Sequence, residues 1–286
     1  MTPATLRRFT HFACAAAAVF SLFGCGKAPD PAAAGSAASA PSQASARVYV
    51  VGTDAAYAPF ESQNEKGEIV GFDIDVVRAI AKKAGIEVRF VNTPWEGIFN
   101  ALAQGDRDLL VSSITITDER RQTMDFSDPY FDAFQLIAVP AGSGVTRLDD
   151  LKPLKVGVQT GTTGDEAISK LQGKTSPNIR RFESTPLALK ELEAGGVDAV
   201  VADNGVVVNH VVNNAGSKFK TVSDAAFTPE RYGIAVKKGN TGLLARLNQG
   251  LAGIKADGSY ERIRAQYLGA SPAVATPAAV PASAPK

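Results

Sequence analysis

Cysteine is nearly absent. The 286 residues hold two, Cys14 and Cys25, both within the first 25 positions, so the folded part has no disulfide and no thiol chemistry. Histidine is as scarce, with only His11 and His210. That leaves no His/Cys cluster for zinc, and no metal or cofactor is expected. Charge of one sign is also missing: 30 basic against 29 acidic residues give a net +1, which offers no electrostatic reason to expect nucleic acid. The apolar run from Phe12 to Phe23 falls short of the roughly 20 residues a membrane-spanning helix needs. What is present is ordinary: 45% hydrophobic and 21% charged residues, as in one or two globular domains.

The N-terminus has the form of a targeting segment. Arg7 and Arg8 precede the alanine-rich apolar run, which ends in Leu22-Phe23-Gly24-Cys25. This tetrapeptide resembles the lipobox of bacterial lipoproteins: the leucine and the small residue before the cysteine fit, and Phe23 departs from the usual small or β-branched residue. Residues 1–24 are therefore expected to be a signal peptide, with lipid on Cys25. An ordinary secretory peptide with an incidental cysteine is the alternative. Residues 25–46 are mostly Ala, Ser, Pro and Gly and bury too little surface to offset their ordering entropy, the character of a flexible tether. Residues 269–286 share it and are expected to form a disordered tail. The folded body spans about 47–268.

Strand and helix patterns alternate through that body, which argues for α/β layers with mainly parallel strands. A strand over residues 48–52 precedes a helix over 72–84, where Phe72, Val76, Val77, Ile80 and Ala84 recur at helical spacing. Asp73 is placed to cap this helix and Gly85 to end it. A strand at 87–91, a helix at 95–104 and a strand at 108–112 follow. A second unit repeats the pattern: strands at 155–159, 179–182 and 197–202, helices at 165–171, 186–194 and 203–215. A strand at 232–236 and helices at 243–256 and 260–267 close the body. Two such units imply two lobes rather than one wide sheet.

In open α/β sheets, ligands bind where loops leave the carboxyl ends of strands. Polar or aromatic groups stand at five such exits: Asp54, Trp95, Ser112-Ser113, the segment Gln159–Thr163, and Asp203. Thr117 is placed to cap a short helix, with Asp118 and Glu119 favouring its positive end. Arg120 then projects beside Ser112 and Ser113. A guanidinium there can grip a carboxylate through two parallel hydrogen bonds; pairing with Asp118 or Asp125 explains it equally well. Gly161-Thr162-Thr163-Gly164 opens a helix whose N–H groups can receive an anion, or is a plain turn with a threonine cap. Asp203 suits an ammonium group or a helix N-cap. Tyr57 and Trp95 can sandwich an aliphatic or cationic chain, or simply pack. His210 reads as structural, and Asp73 with Asp75 is too sparse for a calcium loop.

Four stretches together carry a family likeness: Gly52-Thr-Asp-Ala-Ala-Tyr-Ala-Pro-Phe60, Gly71-Phe-Asp-Ile-Asp75, Ile114-Thr-Ile-Thr-Asp-Glu-Arg120 and Asp125-Phe-Ser-Asp-Pro-Tyr130. They resemble the polar amino-acid-binding proteins of ABC importers, over nearly all of residues 47–268. The resemblance implies a two-lobed periplasmic-binding-protein fold (type II), with 47–130 plus 233–268 as lobe 1, 135–228 as lobe 2 and a two-segment hinge. It assigns Arg120 to the ligand α-carboxylate, helped by the N–H groups of Thr115 and Thr162. Asp203 takes the α-ammonium with the Ser113 carbonyl, Tyr57 and Trp95 flank the side chain, and Asp54 lies toward its far end. Ser112 and Gln159 complete the set. The implied partners are one free L-amino acid and an importer permease, with the membrane reached only through the lipid anchor. The implied state is a monomer in the periplasm or at the cell surface.

Ligand choice follows from departures. Gln159 and Ala202 replace the Lys and His usual in glutamine binders, and no side-chain cation is evident for glutamate or aspartate. Asp54 with two aromatics favours a basic amino acid, arginine first, then lysine or histidine. Glutamine or another polar amino acid is the alternative. Dehydratases share the fold, but the only acid or base candidates are Asp54, Glu96 and Asp203, and two of these already have binding roles, so no catalytic residue is expected.

Overall fold

The computed structural model describes residues 47–213 and 218–269. The expected signal peptide, the tether with Cys25, and the tail beyond Gly269 lie outside the described residues.

Two five-stranded sheets organise the chain. In the first, Val48–Thr53 lies between Glu87–Asn92 and Leu109–Leu110, parallel to both. Ala235–Lys237 and Met124–Phe126 extend it antiparallel. In the second, Val156–Gln159 lies between Ile179–Phe182 and Ala199–Asp203, again parallel to both. Gln135–Pro140 and Phe219–Val222 extend it antiparallel. The expected parallel βαβ cores are thus joined in each sheet by an antiparallel edge. The Gln135–Pro140 strand is one that the sequence reading did not place; its first five residues are buried, as a strand inside the sheet and covered on both faces requires.

The chain crosses between the sheets twice. Phe131–Ala133 carries it out and Glu230–Tyr232 brings it back, and these two strands pair antiparallel. Helices Phe72–Ala84, Thr241–Ala256 and Ser259–Leu268 cover one face of the first sheet; Trp95–Gln104 covers the other. Helices Thr163–Gln172 and Thr185–Ala194 cover opposite faces of the second. Val76, Val77 and Ile80 are fully buried, each such side chain contributing about 1.5–3 kcal/mol.

One reading of a helix start changes. Asp73 does not cap its helix. The helix opens at Gly71, whose φ of 136° suits only glycine, and the Asp73 side chain turns into the core instead. Asp203 ends a strand directly before the helix that runs from Asn204, and its carboxylate accepts from Tyr57, Tyr232 and Gln135.

Candidate functional site

A cavity of about 330 Å³ lies between the two sheet units. Asp54, Tyr57, Trp95, Ser112, Ser113, Thr115 and Arg120 line it from the first unit, and Gln159, Thr162 and Asp203 from the second. All five strand exits contribute to it, although Thr160 and Gly161 of the Gln159–Thr163 segment do not line it. Thr163, at the end of the Gln159–Thr163 exit, lines it too, as does Glu61, which sequence reasoning missed.

Arg120 is held by a short helix, Asp118–Thr123, capped by the Thr117 hydroxyl, which accepts the Arg120 N–H at 3.1 Å. Its guanidinium donates to the carbonyls of Thr115 at 2.9 Å and Gly161 at 3.4 Å, one on each side of the cavity. The rings of Trp95 and Phe99 lie 5.4 and 5.3 Å from it. Pairing with Asp118 or Asp125 does not occur: Asp125 is bound to Lys238 at 2.8 Å, and among the described residues no carboxylate forms an ion pair with Arg120. Burial lowers its pKa, while Glu166, Asp203, Glu230 and Glu119 pull it back up. The guanidinium remains a cation without a direct counterion.

Asp203 is a buried carboxylate with neutral donors. Tyr57 and Tyr232 donate to it at 2.9 and 2.5 Å, and Gln135 Nε2 also donates to it. Burial and the Asp203 charge hold both phenols well above their ordinary pKa, so they stay donors. Burial, then the charge of Glu230, raises Asp203 itself to about 6, against the pull of these hydrogen bonds. Glu230, on the returning strand, accepts from Thr115 at 2.6 Å, Thr163 at 3.0 Å and Gln135 at 3.1 Å. It therefore ties both units together beside the cavity.

Asp54 sits at the first strand's exit, its backbone N–H bonded to Ser112 Oγ at 2.9 Å. Its carboxylate accepts from Gln159 Nε2 at 3.3 Å across the cavity and from the backbone N–H of Trp95. Burial raises its pKa; those two bonds oppose the rise. Trp95, at the first position of its helix, packs edge-on to Phe99 at 5.0 Å. Thr162 does cap the helix Thr163–Gln172, accepting from the Asp165 N–H at 3.2 Å. The Gly161 N–H is taken by the Asp165 carboxylate at 3.0 Å. Glu96, one of the three acid candidates, is exposed and does not line the cavity. His210 pairs with Glu193 at 3.0 Å, away from the cavity.

Two α/β bodies joined by two crossing strands around a buried polar cavity define a two-lobed solute-binding protein. The chain belongs to the bacterial extracellular solute-binding proteins, family 3, whose model matches residues 49–270. A protein named "probable histidine-binding protein" from Neisseria gonorrhoeae is 47% identical over 237 residues, covering 82% of this chain and 88% of that protein. The crystal structure of the arginine-, lysine-, histidine-binding protein ArtJ from Geobacillus stearothermophilus matches with a TM-score of 0.76 and 44% identity. That match covers 79% of this chain and 97% of ArtJ. An ancestral amino acid-binding protein described as a precursor of cyclohexadienyl dehydratase matches at a TM-score of 0.69 and 38% identity, covering 77% of this chain and 94% of its own.

Proposed function

We propose that this chain is the extracytoplasmic receptor of an ABC importer for a basic amino acid, arginine first, then lysine or histidine. One observation carries the reading: an unpaired guanidinium and a buried carboxylate face a single cavity from opposite bodies. A free α-amino acid has the complementary pair of charges. Arg120 takes its α-carboxylate in a bidentate grip, and Asp203 with the Ser113 carbonyl takes its ammonium. The side chain runs between Tyr57 and Trp95 toward Asp54, where charge and the aromatic faces favour a cation. The relatives named for histidine and for arginine, lysine and histidine support the ligand class. Calorimetric titration with arginine, lysine, histidine, glutamine and glutamate tests it. Arginine is expected to bind tightest; tight glutamate binding with none of arginine would sink the assignment.

Residues 47–130 with 233–268, and 135–228, act as two lobes that close on the ligand about the crossing strands, and the closed form is what the permease reads. The protein acts as a monomer without catalysis. A signal peptide over 1–24 directs it across the membrane, and lipid on Cys25 holds it there in the periplasm or at the cell surface. Turnover of a cyclic dehydratase substrate would overturn the non-enzymatic reading.

Closure leaves a testable contact at Gly205. A Cβ there would lie 2.5 and 2.6 Å from two ring carbons of Phe60 in the other body. Overpacking of this kind costs about 1–3 kcal/mol. Gly205→Ala is therefore expected to weaken arginine binding about tenfold and to enlarge the solution radius of the bound protein by small-angle scattering. Unchanged affinity and radius would show that the lobes do not close on this contact.

A further inference from the structure

At the inner wall of the cavity, two acids are buried together. Glu61 and Asp73 are both fully buried, and the backbone sets them side by side: the Asp73 N–H bonds the carbonyl of Phe60, next to Glu61, at 3.0 Å, and the two side chains hold the adjacent residues Ser112 and Ser113. Each has one oxygen already occupied: Glu61 Oε1 accepts from Ser112 Oγ at 3.2 Å, and Asp73 Oδ2 accepts from the Ser113 N–H at 2.8 Å and the Tyr130 hydroxyl at 2.6 Å. The other oxygen of each, Glu61 Oε2 and Asp73 Oδ1, has no donor. Asp54, Tyr57, Tyr130 and Tyr260 are the titratable groups that act most strongly with the pair, carboxylic or phenolic. Two neighbouring buried carboxylates with no cation paired to either cannot both ionise readily in such a place. One proton held by the pair would relieve the charge and leave one bare oxygen fewer.

We propose that Glu61 and Asp73 share one proton as a neutral-acid/carboxylate pair, and that this pair positions the Ser112–Ser113 turn against the ligand. Asp73 carries the charge, since it already receives two donors. Glu61 carries the proton, because burial first and then the Asp73 charge push its pKa well above the carboxylate range. Ser113 is the only non-glycine among the described residues with positive φ, at 48°. Such a conformation persists when its surroundings over-determine it, and the bond from the Ser113 N–H to Asp73 does so. The other arm runs from Glu61 to Ser112 Oγ, which in turn receives the Asp54 N–H. The pair thereby fixes three cavity residues, Asp54, Ser112 and Ser113, from inside the core.

The positioning role rests on the amino-acid-binding reading, whereas the shared proton does not, so two measurements separate them. Infrared spectra of the ligand-free full chain at neutral pH should show the carbonyl stretch of a neutral carboxylic acid, and Glu61→Gln should remove it. Absence of that band in the wild type, or its survival in Glu61→Gln, overturns the pair. In calorimetry with arginine, Glu61→Ala should bind about tenfold more weakly, the order expected for an unsatisfied buried acid. Glu61→Gln, which can donate to Asp73 and accept from Ser112, should recover at least about half of that free energy, roughly threefold in affinity. A glutamine variant as weak as the alanine variant refutes positioning. Should Glu61→Ala not fold, the infrared arm decides the pair alone. A normal band with no arginine binding by the wild type would uphold the pair and remove the ligand reading.

Discussion

Replacing Arg120 with alanine is expected to abolish amino-acid binding at micromolar ligand while leaving the fold intact. The guanidinium is half-buried, lies against Trp95 and Phe99, and has no protein counterion. A ligand carboxylate would be its first direct ionic partner. Truncating one member of a desolvated, hydrogen-bonded charge pair costs about 2–5 kcal/mol, roughly thirtyfold to several thousandfold in affinity. The folded state loses little, because its bonds to the Thr115 and Gly161 carbonyls lie at the cavity rather than in the core. The ligand-free melting temperature should accordingly shift by only a few degrees. Arg120→Lys sharpens the test. Lysine restores the charge but not the planar fork, so affinity should stay at least about tenfold below wild type. Calorimetry on both variants checks this, and an alanine variant within threefold of wild type would exclude the carboxylate role.

How much of this site was legible without coordinates depended on where each residue sits in its element. Residues at strand exits were readable because the end of a parallel strand is a fixed landmark: Asp54, Ser112, Gln159 and Asp203 follow or end strands whose apolar runs are plain in the sequence. Arg120 was readable through its capped first turn. Glu61 was not. It lies in a three-residue strand of a small antiparallel sheet with Ala56–Tyr57 and Ile69–Val70, too short to show periodicity. Nothing local says that a glutamate after Pro59-Phe60 is buried. Asp73 was misread for a related reason: an acid in a first helical turn usually faces the positive helix end, and only the tertiary donors Ser113 and Tyr130 show otherwise. Glu230 depends on three partners far away in the chain, and pairing at that separation leaves no trace in spacing. The two units followed from the repeated βαβ pattern, whereas the antiparallel edges of the sheets come from segments bordering the crossings.

The pH dependence of binding should report Asp203 directly. In the ligand-free protein its pKa is raised to about 6. In the proposed role the ligand ammonium requires the carboxylate, so binding below that value must first expel a proton. The sign follows: affinity is full above the raised pKa and falls as pH drops through it, approaching tenfold per unit. With arginine, whose side chain stays charged throughout, binding at pH 5 should be about tenfold weaker than at pH 7. Calorimetry at pH 5 in buffers of different ionisation enthalpy should register close to one proton released. Asp203→Asn removes both the charge and the titration. Its neutral amide still offers an oxygen to Tyr57 and Tyr232, so the tyrosine contacts can persist. Affinity at pH 7 should drop by at least about thirtyfold, the cost of an ammonium facing no charge, and the slope between pH 7 and pH 5 should flatten. A variant that keeps the wild-type slope would assign the titration to the Glu61–Asp73 pair instead and take the ammonium role away from Asp203.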